Sequence, residues 1–442
     1  MNLTPKETVK YLDEYIIGQF EAKKAIAIAL RNRYRRMKLD SQMQNEVIPK
    51  NILMIGSTGV GKTEIARRLA KMMGLPFVKV EASKYTEVGF VGRDVESMVR
   101  DLAIASLNLI KNEYKEKNQD AINDYVYKKI LEKLLPPLPK GASEEKQISY
   151  KQSYEKMKER LIAGDLDGSI IEIELQQGLG EFGNDSNTNP EIIKVQESFM
   201  KILNAGQNST KKEMSVREAK EALKAEAAEK IFDNETIKRE ALKRAENGGI
   251  IFIDEIDKIA VASNLQGRQD PSKEGVQRDL LPIVEGSSVS TKLGTLNTDH
   301  ILFIAAGAFH LSKPSDLIPE LQGRFPLRVE LSSLDEETLY KIQTQPKNSL
   351  LKQYEALLKT EDVLLIFEDD AIKAIAKIAH QTNEKTEDIG ARRLHTIIEK
   401  VIEDISYNAD EYKKQTIHVK ATLVHEKLDA IIENEDTARY IL

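Results

Sequence analysis

The chain has 442 residues, with 65 Lys and Arg against 71 Asp and Glu and a formal net charge of −6. This length allows two or three domains, and the near balance of charge argues against global steering toward nucleic acid. The absence of cysteine excludes disulfides, thiolate zinc sites and a thiol nucleophile. No apolar signal region opens the sequence and no stretch is long enough to span a bilayer, so we expect a cytoplasmic protein.

The first predicted element is an amphipathic helix over residues 20–39, rich in Ala and Ile. Basic residues cluster at the C-terminal end of this helix, where they interact favourably with the helix dipole. A functional contact with a phosphate or a partner is the alternative explanation for this cluster. The basic residues are Arg31, Arg33, Arg35, Arg36 and Lys38.

The next elements are a strand, a glycine-rich loop and a helix. Residues 50–55 read as a short strand, and their apolar run without alternation over 52–55 is typical of a buried parallel strand. Residues 56–63 fit the phosphate-loop pattern G-x-x-x-x-G-K-S/T, in which glycines let backbone N–H groups point at phosphates. The helix over 64–73 presents its positive dipole end to the same anion. The predicted cofactor-binding residues are Gly59, Val60, Gly61, Lys62, Thr63 and Glu64.

Two side chains of this loop have separate predicted roles. Lys62 adds a point charge on the β- and γ-phosphates, and the hydroxyl of Thr63 can ligate Mg²⁺. A second parallel strand, predicted over 75–80, completes a β-α-β unit. We therefore expect an α/β fold with a doubly wound parallel sheet.

The segment from about 111 to 246 differs in character. It is highly charged with helical periodicity, and prolines at 136–139 and a polar Gly- and Asn-rich loop over 178–189 interrupt it. Apolar residues recur through it, including a run within 192–203, which favours a folded core over a disordered linker. We interpret it as an inserted, mainly helical domain.

A second nucleotide motif follows the insertion. Residues 250–253 predict a buried strand that ends in Asp254 and Glu255. Paired with the phosphate loop, Asp254 would hold the Mg²⁺ shell and Glu255 would polarise the attacking water. We expect Asp257 to cap the segment that follows.

The sheet resumes with an apolar strand over 301–306, and short helices with a strand-like piece over 363–367 occupy the rest of the chain. We expect a discontinuous nucleotide-binding domain over 1–108 and 247–330. The inserted domain would cover 109–246, and a smaller, mainly helical α+β domain would cover 331–442.

Five further stretches resemble motifs of one family. With the two nucleotide motifs, they make nearly the whole chain similar to the AAA+ ATPases and, among them, to the HslU (ClpY) family of unfoldases that serve the HslV peptidase. The inserted domain distinguishes this family from ClpX, which also has an N-terminal zinc module that a chain without cysteine cannot have. The five stretches are Tyr-Ile-Ile-Gly-Gln at 15–19, Gly-Phe-Val-Gly at 89–92, Glu-Leu-Gln-Gly-Arg-Phe at 320–325, Gly-Ala-Arg-Arg at 390–393 and Arg-Tyr-Ile-Leu at 439–442.

The resemblance implies roles around the nucleotide. Ile16 and Ile17 lie on the adenine side, and Glu320 belongs to the nucleotide site. Arg324 is the arginine finger, which reaches across a subunit boundary to the neighbour's γ-phosphate. Arg392 is the sensor-2 arginine, which contacts phosphate in its own subunit.

Two positions stand apart from these roles. We expect Arg393 to lie on a solvated helix face or in a surface salt bridge. AAA+ ATPases commonly have a polar residue after the fourth core strand, whereas residues 305–308 read Ala-Ala-Gly-Ala here. This departure leaves the sensor-1 role unassigned, and Glu255 would do more of the water positioning.

The resemblance also implies two contact segments. Residues 89–92 are similar to the pore loop that grips the translocating chain, and a turn with its phenylalanine in the core is the alternative. The last residues are similar to the tail that docks on the peptidase, and a frayed terminus is the alternative. The pore-loop residues are Gly89, Phe90, Val91 and Gly92, and the docking residues are Tyr440, Ile441 and Leu442.

The sequence therefore predicts a homo-hexameric ring that uses ATP and Mg²⁺ to unfold proteins and feed them to an HslV-type peptidase. It predicts no peptidase activity in the chain itself, because the six histidines have no triad or metal spacing. A DNA-translocating AAA+ motor, a ClpX-type unfoldase and a non-catalytic nucleotide-gated scaffold are the alternatives.

Overall fold

A computed structural model describes residues 3–47, 50–86, 92–135, 143–176, 209–261 and 271–432. Several predicted features lie outside the described residues. They are the pore-loop residues Gly89, Phe90 and Val91, the prolines at 136–139, the loop over 178–189, the apolar run within 192–203 and the docking residues Tyr440, Ile441 and Leu442.

The chain divides into two compact units. The first unit combines Met1–Leu109 with Glu240–Leu442, and the second unit is Ile110–Arg239. The region from residue 331 onward belongs to the first unit.

The described residues form helices and strands that alternate along much of the chain. The helices are α1 (Pro5–Asp13), α2 (Phe20–Arg36), α3 (Ser41–Glu46), α4 (Lys62–Met73), α5 (Ser97–Lys117), α6 (Gln119–Leu134), α7 (Glu144–Ala163), α8 (Val216–Ile231), α9 (Asn234–Gly248), α10 (Pro271–Glu285), α11 (Pro319–Arg324), α12 (Glu336–Thr344), α13 (Leu350–Lys359), α14 (Asp369–Lys385), α15 (Arg392–Tyr407) and α16 (Ala421–Ile432). The strands are β1 (Ile52–Ile55), β2 (Phe77–Glu81), β3 (Ile170–Gln176), β4 (Ser209–Ser215), β5 (Ile250–Asp254), β6 (Ser288–Thr291), β7 (Gly294–Asn297), β8 (Leu302–Gly307), β9 (Leu327–Glu330), β10 (Leu364–Phe367) and β11 (Thr416–Val419).

A five-stranded sheet organises the first unit. Its order is β2-β5-β8-β1-β9, and every neighbouring pair is parallel. This confirms the predicted parallel α/β sheet, including the strands that contain the two nucleotide motifs. Parallel strands end at one edge, so the ends of β5, β8 and β1 lie side by side there.

The central strands of this sheet are apolar because both of their faces are buried. Phe252 and Ile304 contribute to a core on one face, and Ile251 and Phe303 contribute to a core on the other. Successive side chains of a strand point to opposite faces, so a continuous apolar run fills two cores. Fully burying each of these side chains contributes about 1.5–3 kcal/mol.

Smaller sheets include strands that the sequence pattern did not predict. β10 falls within the predicted strand-like piece over 363–367, and it pairs in parallel with β11. β6 and β7 form an antiparallel hairpin that was not predicted. β11 reads Thr-Ile-His-Val and β6 reads Ser-Val-Ser-Thr, so each short strand offers few apolar residues to a periodicity argument.

The second unit combines helices with an antiparallel hairpin. β3 pairs with β4 from Ile170 opposite Ser215 to Gln176 opposite Ser209, which the prediction of a mainly helical segment did not include. Ser215 also begins α8, where its hydroxyl accepts from the Glu218 N–H and the Glu218 side chain accepts from the Ser215 N–H.

The basic end of α2 is partly buried. Arg33 is 8% exposed and donates to the Gly249 carbonyl oxygen at 3.0 Å and to the His300 carbonyl oxygen. Arg36 is 7% exposed and donates to the Gln44 carbonyl oxygen at 2.7 Å. Burial lowers the pKa of Arg33 to about 9. These two arginines therefore hold backbone carbonyls, one of which immediately precedes β5.

Candidate nucleotide site

The loop between β1 and α4 has a backbone that requires glycine. Gly59 and Gly61 have φ angles of 76° and 103°, in the left-handed region where a side chain is strained. A Cβ atom on Gly59 would also lie 2.0 Å from the Ile389 carbonyl oxygen. The loop is therefore shaped by its own glycines and by close packing against a segment more than 300 residues further along the chain.

Lys62 begins α4 with its ammonium group turned into the loop. It is 8% exposed, and its Nζ donates to the Gly56 carbonyl oxygen and, at 2.7 Å, to the Ser57 carbonyl oxygen. Burial lowers the pKa of Lys62 below the ordinary lysine value. The positive charge of Arg392 also lowers this pKa, and the nearby carboxylate of Asp254 acts in the opposite direction.

Thr63 and Asp254 meet at the carboxyl edge of the sheet. The Thr63 hydroxyl lies 3.5 Å from Asp254 Oδ2, and Lys79 forms an ion pair with the same oxygen at 2.8 Å. Among the described residues, no group of three or more His, Cys, Asp or Glu side chains could hold a metal ion. One hydroxyl and one carboxylate still suit Mg²⁺, which usually combines one or two protein ligands with phosphate oxygens and water.

Glu255 follows Asp254 in a backbone conformation that is rare for a residue with a side chain. Its φ is 56°, its N–H donates to Asp254 Oδ1 at 3.1 Å, and its Oε2 accepts from the Ser83 hydroxyl at 3.2 Å. Positive φ outside glycine is uncommon and clusters at functional sites. The sequence motif indicated Glu255, whereas Ser83 and Lys79 were missed because neither lies in a recognisable pattern.

The predicted adenine-side segment packs beside the loop. Ile16 is 7% exposed, and a Cβ atom on Gly61 would lie 3.8 Å from its Cγ2. The segment is held by Lys23, which is 1% exposed and pairs with Asp13 at 2.6 Å while donating to the Ile16 carbonyl oxygen. Ile17 is partly exposed beside it.

Glu64 points toward arginines on its own helix. Its carboxylate pairs with Arg67 at 2.7 Å and with Arg68 at 2.5 Å. The guanidinium of Arg68 also stacks over the Tyr15 ring, 4.1 Å from its centroid. Glu64 thus links the start of α4 to the segment that contains Ile16.

The turn before α15 lies directly on the phosphate loop. The Ala391 N–H donates to the Gly59 carbonyl oxygen at 3.3 Å, and a Cβ atom on Gly390 would lie 2.6 Å from the Thr58 carbonyl oxygen. Arg392 is the first residue of α15, it is exposed, and its charge acts on Lys62. The structure therefore joins the start of α15 to the phosphate loop, and contact of Arg392 with phosphate stays a prediction.

The prediction for Arg393 was wrong. Arg393 is 3% exposed and donates to Asn383 Oδ1 at 3.1 Å, to the Thr386 hydroxyl at 2.9 Å and to the Glu387 carbonyl oxygen at 2.6 Å. The same Asn383 donates to the Gly390 carbonyl oxygen at 3.2 Å. Arg393 is therefore buried, and its hydrogen bonds stabilise the turn that precedes Arg392.

Arg324 and Glu320 lie on α11, which the described contacts do not join to the phosphate loop. Arg324 donates from Nε at 3.0 Å and from Nη2 at 2.7 Å to Glu285 Oε1, and both side chains are partly exposed. Glu320 is exposed in the first turn of α11. This surface position is compatible with a contact to another subunit.

The prediction for Asp257 was also wrong. Asp257 lies inside the short 3₁₀ helix Ile256–Lys258, whose N-cap position is occupied by Glu255. Its carboxylate instead faces the end of β8 at Gly307. Gly307 in turn accepts a hydrogen bond at 3.2 Å from the N–H of Gly56, the first residue of the phosphate loop.

Known protein families match two parts of the chain. A model described as "ATPase family associated with various cellular activities (AAA)" matches residues 52–119, and one described as "AAA domain (Cdc48 subfamily)" matches residues 176–328. A protein of Campylobacter jejuni named ATP-dependent protease ATPase subunit HslU is 69% identical over 442 residues, 100% of both chains. The chain belongs to the HslU family. A Helicobacter pylori HslU is 64% identical over 100% of this chain and 99% of its own length.

HslU membership settles the fold class and the nature of the ligand. The sheet is that of an AAA+ ATPase, and the site binds a nucleotide. In the described part of the chain, no helix has the length and apolar character needed to cross a membrane.

Proposed function

We propose that this chain is the ATPase subunit of an HslUV-type protease. It assembles into a cytoplasmic homo-hexameric ring, hydrolyses ATP with Mg²⁺, unfolds protein substrates and passes them to an HslV-type peptidase. The proposal rests on full-length identity to relatives named for this role. The observation within the molecule that supports it is the 3.3 Å hydrogen bond from the Ala391 N–H to the Gly59 carbonyl oxygen, which joins the turn before Arg392 to the phosphate loop.

In this proposal the phosphate loop and Lys62 bind the β- and γ-phosphates through backbone N–H groups and one buried ammonium. Thr63 and Asp254 would hold Mg²⁺ together with phosphate oxygens, and the ion neutralises charge on the phosphates. The Glu255 carboxylate orients and polarises the attacking water, and its contact with the Ser83 hydroxyl holds it at the sheet edge.

Arginines complete the site from two directions. Arg392 contacts phosphate in its own subunit, because the turn over 389–391 presents it there. Arg324 acts on the nucleotide of a neighbouring subunit, where its guanidinium fork stabilises the charge that develops on the γ-phosphate. Glu285 holds this fork at the surface before assembly.

Two short segments contact other chains in this proposal. Residues 89–92 form the pore loop, in which Phe90 grips the substrate chain. Tyr440, Ile441 and Leu442 insert into a groove on the peptidase, and each could contribute about 1.5–3 kcal/mol by burial before ordering costs. Several tails in one ring would act together through effective concentration.

Reconstitution with an HslV-type peptidase tests the proposed function. The full chain should stimulate ATP-dependent degradation of a folded fluorescent protein by that peptidase. Phe90→Ala should retain ATP turnover and stimulation of small-peptide cleavage but lose degradation of the folded protein. Deletion of residues 440–442 should lose both stimulations with ATP turnover retained.

The outcomes separate the proposal from its rivals. ATP turnover without any stimulation of the peptidase by the full chain would contradict the protease role. DNA-stimulated turnover in the same preparation would favour the DNA-translocating motor instead. A large fall in the thermal stability of Phe90→Ala would identify Phe90 as a core residue, because truncating a buried Phe costs about 3–5 kcal/mol.

A further inference from the structure

Three adjacent strands end at the nucleotide site, and only two of them provide polar side chains at their own ends. β5 ends in Asp254 and Glu255, and β1 leads into the phosphate loop. β8 lies between them and ends with residues 306–308, Ala-Gly-Ala. Ligands of parallel sheets bind outside these carboxyl ends. The central strand therefore faces the site without a polar side chain of its own.

Side chains of Asp257 and Phe309 occupy the space next to the end of β8. A Cβ atom on Gly307 would lie 2.7 Å from Asp257 Oδ1 and 2.7 Å from Cε2 of Phe309. The φ of Gly307 lies outside the left-handed region, so its backbone would accept a side chain. A side chain at this position would displace the Asp257 carboxylate or the Phe309 ring, so the Asp257 carboxylate stands where a side chain of β8 would begin.

Asp257 is held in this place by its backbone. The short helix Ile256–Lys258 follows Glu255 directly, and Ile256 is 1% exposed in the core beneath it. The Asp257 carbonyl oxygen accepts from the Ser312 hydroxyl at 3.2 Å and from the Ala260 N–H at 3.3 Å.

The Asp257 carboxylate itself receives no hydrogen bond from the described residues. Its charge reaches the phosphate loop, because it acts to raise the pKa of Lys62 against the larger effect of burial. The carboxylate is therefore an acceptor close to the lysine that would hold the phosphates.

We propose that Asp257 is a positioning residue for ATP hydrolysis, whose carboxylate accepts a hydrogen bond from the attacking water at the end of β8. Glu255 accepts from the same water, so two acceptors two residues apart in one segment set its orientation. Orienting a water molecule in this way requires acceptor oxygens but no net proton transfer to Asp257. The proposal rests on the ATPase activity of the proposed function.

The test compares Asp257→Ala with Asp257→Asn in the full chain. The asparagine retains one acceptor oxygen at this position and loses the charge, whereas alanine loses both. We expect Asp257→Ala to lower kcat roughly 10²-fold, within the range for a positioned acid or base group. Asp257→Asn should retain at least tenfold more turnover, and the Kd for a fluorescent ATP analogue should stay within about threefold in both variants.

A double variant tests whether the Asp257 carboxylate acts at the end of β8. Gly307→Ser alone should lower turnover, because its side chain meets the Asp257 carboxylate. Combined with Asp257→Ala, it places a hydroxyl where the carboxylate stood, and kcat should recover at least tenfold over Asp257→Ala. As a matched control, Asp316→Asn changes the same charge nearby, on a carboxylate that accepts from the Lys313 N–H, and should keep kcat within about twofold.

Each result decides the proposal. Parent-level turnover in Asp257→Ala would overturn it, as would equal losses in Asp257→Ala and Asp257→Asn, which would indicate an effect of charge alone. A double variant that binds the ATP analogue normally and does not exceed Asp257→Ala would overturn the placement at β8. Absence of turnover in the parent chain would instead contradict the ATPase assignment itself.

Discussion

Glu226 of the second unit and Lys62 of the first unit are buried to the same extent, each 8% exposed, and their partners differ. Glu226 Oε1 accepts from the Tyr125 hydroxyl at 2.9 Å and from Lys230 at 2.6 Å. Lys62 donates to carbonyl oxygens of its own loop and forms no ion pair with the described residues.

The difference in partners distinguishes a buried charge that serves the fold, Glu226, from a buried charge that serves ligand binding, Lys62. Removing one partner of a buried, hydrogen-bonded charge pair destabilises the fold, because the other partner is left without compensation for its desolvation. A buried ammonium held only by backbone carbonyls is still available to an anion. Substitutions at the nucleotide site should therefore change turnover or affinity, and those in the network of Tyr125, Glu226 and Lys230 should change stability.

The largest expected effect is on turnover, at Arg324. Arg324→Ala should lower kcat roughly 10³-fold or more, the scale of arginine fingers, with nucleotide binding by each subunit nearly unchanged. Loss of the exposed pair with Glu285 should cost less than about 1 kcal/mol of stability. Steady-state ATP hydrolysis measures the effect, and Arg328→Ala, an exposed arginine on β9, is the control.

Mixed assemblies decide whether this arginine acts between subunits. Arg324→Ala and Lys62→Ala proteins, each inactive alone, should recover activity when co-assembled, because some interfaces then pair an intact finger with an intact phosphate loop. Absence of recovery in assemblies shown to be mixed would argue against action in trans.

Glu255→Gln should bind ATP and fail to turn it over, with a loss of about 10³-fold, because an amide cannot polarise the attacking water as a carboxylate does. Its unfolding temperature should match that of the parent. Glu330→Gln is the control, since Glu330 is also exposed at the end of a strand of the same sheet. Turnover at the parent rate would show that the role assigned to Glu255 is wrong.

Lys62→Ala should weaken nucleotide binding roughly 100-fold, the equivalent of a lost charge-assisted contact of about 3 kcal/mol. Titration with a fluorescent ATP analogue measures it, and Lys71→Ala on the exposed face of the same helix should bind as the parent does. If the free energy of unfolding of Lys62→Ala fell by as much as its binding free energy, Lys62 would serve the fold as well as the ligand, and its contrast with Glu226 would be wrong.

Glu226→Ala should lower the stability of the fold and leave the nucleotide site unaffected. It leaves the Tyr125 hydroxyl and the Lys230 ammonium without their shared acceptor, which costs about 1–3 kcal/mol. Amide hydrogen exchange in α6 and α8 should accelerate accordingly, with ATP turnover unchanged. Glu221→Ala removes an exposed pair with Lys224 and should cost less than about 1 kcal/mol. Equal protection in the two variants would contradict the structural role of Glu226.

The smallest expected effect is a pH dependence of the same network. Burial raises the pKa of Glu226, but hydrogen bonds from Lys230 and Tyr125 outweigh it, so the pKa lies below the ordinary value of 4.5. A carboxylate with a lowered pKa adds stability above its unfolded pKa and loses it as pH falls through the folded pKa. Hydrogen-exchange protection of α8 should therefore fall below about pH 4.5 more steeply in the parent than in Glu226→Gln.

Arg392 and Arg393 are adjacent in the sequence, and they show which structural detail the sequence did not predict. Arg392 was assigned to phosphate and is exposed, whereas Arg393 was assigned to solvent and is buried. One step along a helix turns a side chain by about 100°, and the residues around Asn383 determine which of the two arginines is enclosed. Nothing in the local pattern at 390–393 contains that information.

The sequence by itself determined the nucleotide chemistry and the parallel sheet. Phosphate binding depends on a short backbone shape and a few residue types at set spacing, so residues 56–63 and the strand over 250–254 were recognisable locally. The glycines were recognised as part of that spacing, and their contacts with residues 389–391 were not.

Only the tertiary structure decided the contacts between residues that are far apart along the chain. The pairing of β3 with β4, the reach of Ser83 to Glu255 and the place of Asp257 at Gly307 join residues between about 35 and 170 positions apart. Such contacts depend on which strands become neighbours in the sheet. That neighbour relation is a property of the packed chain, since no local pattern of polar and apolar residues specifies it.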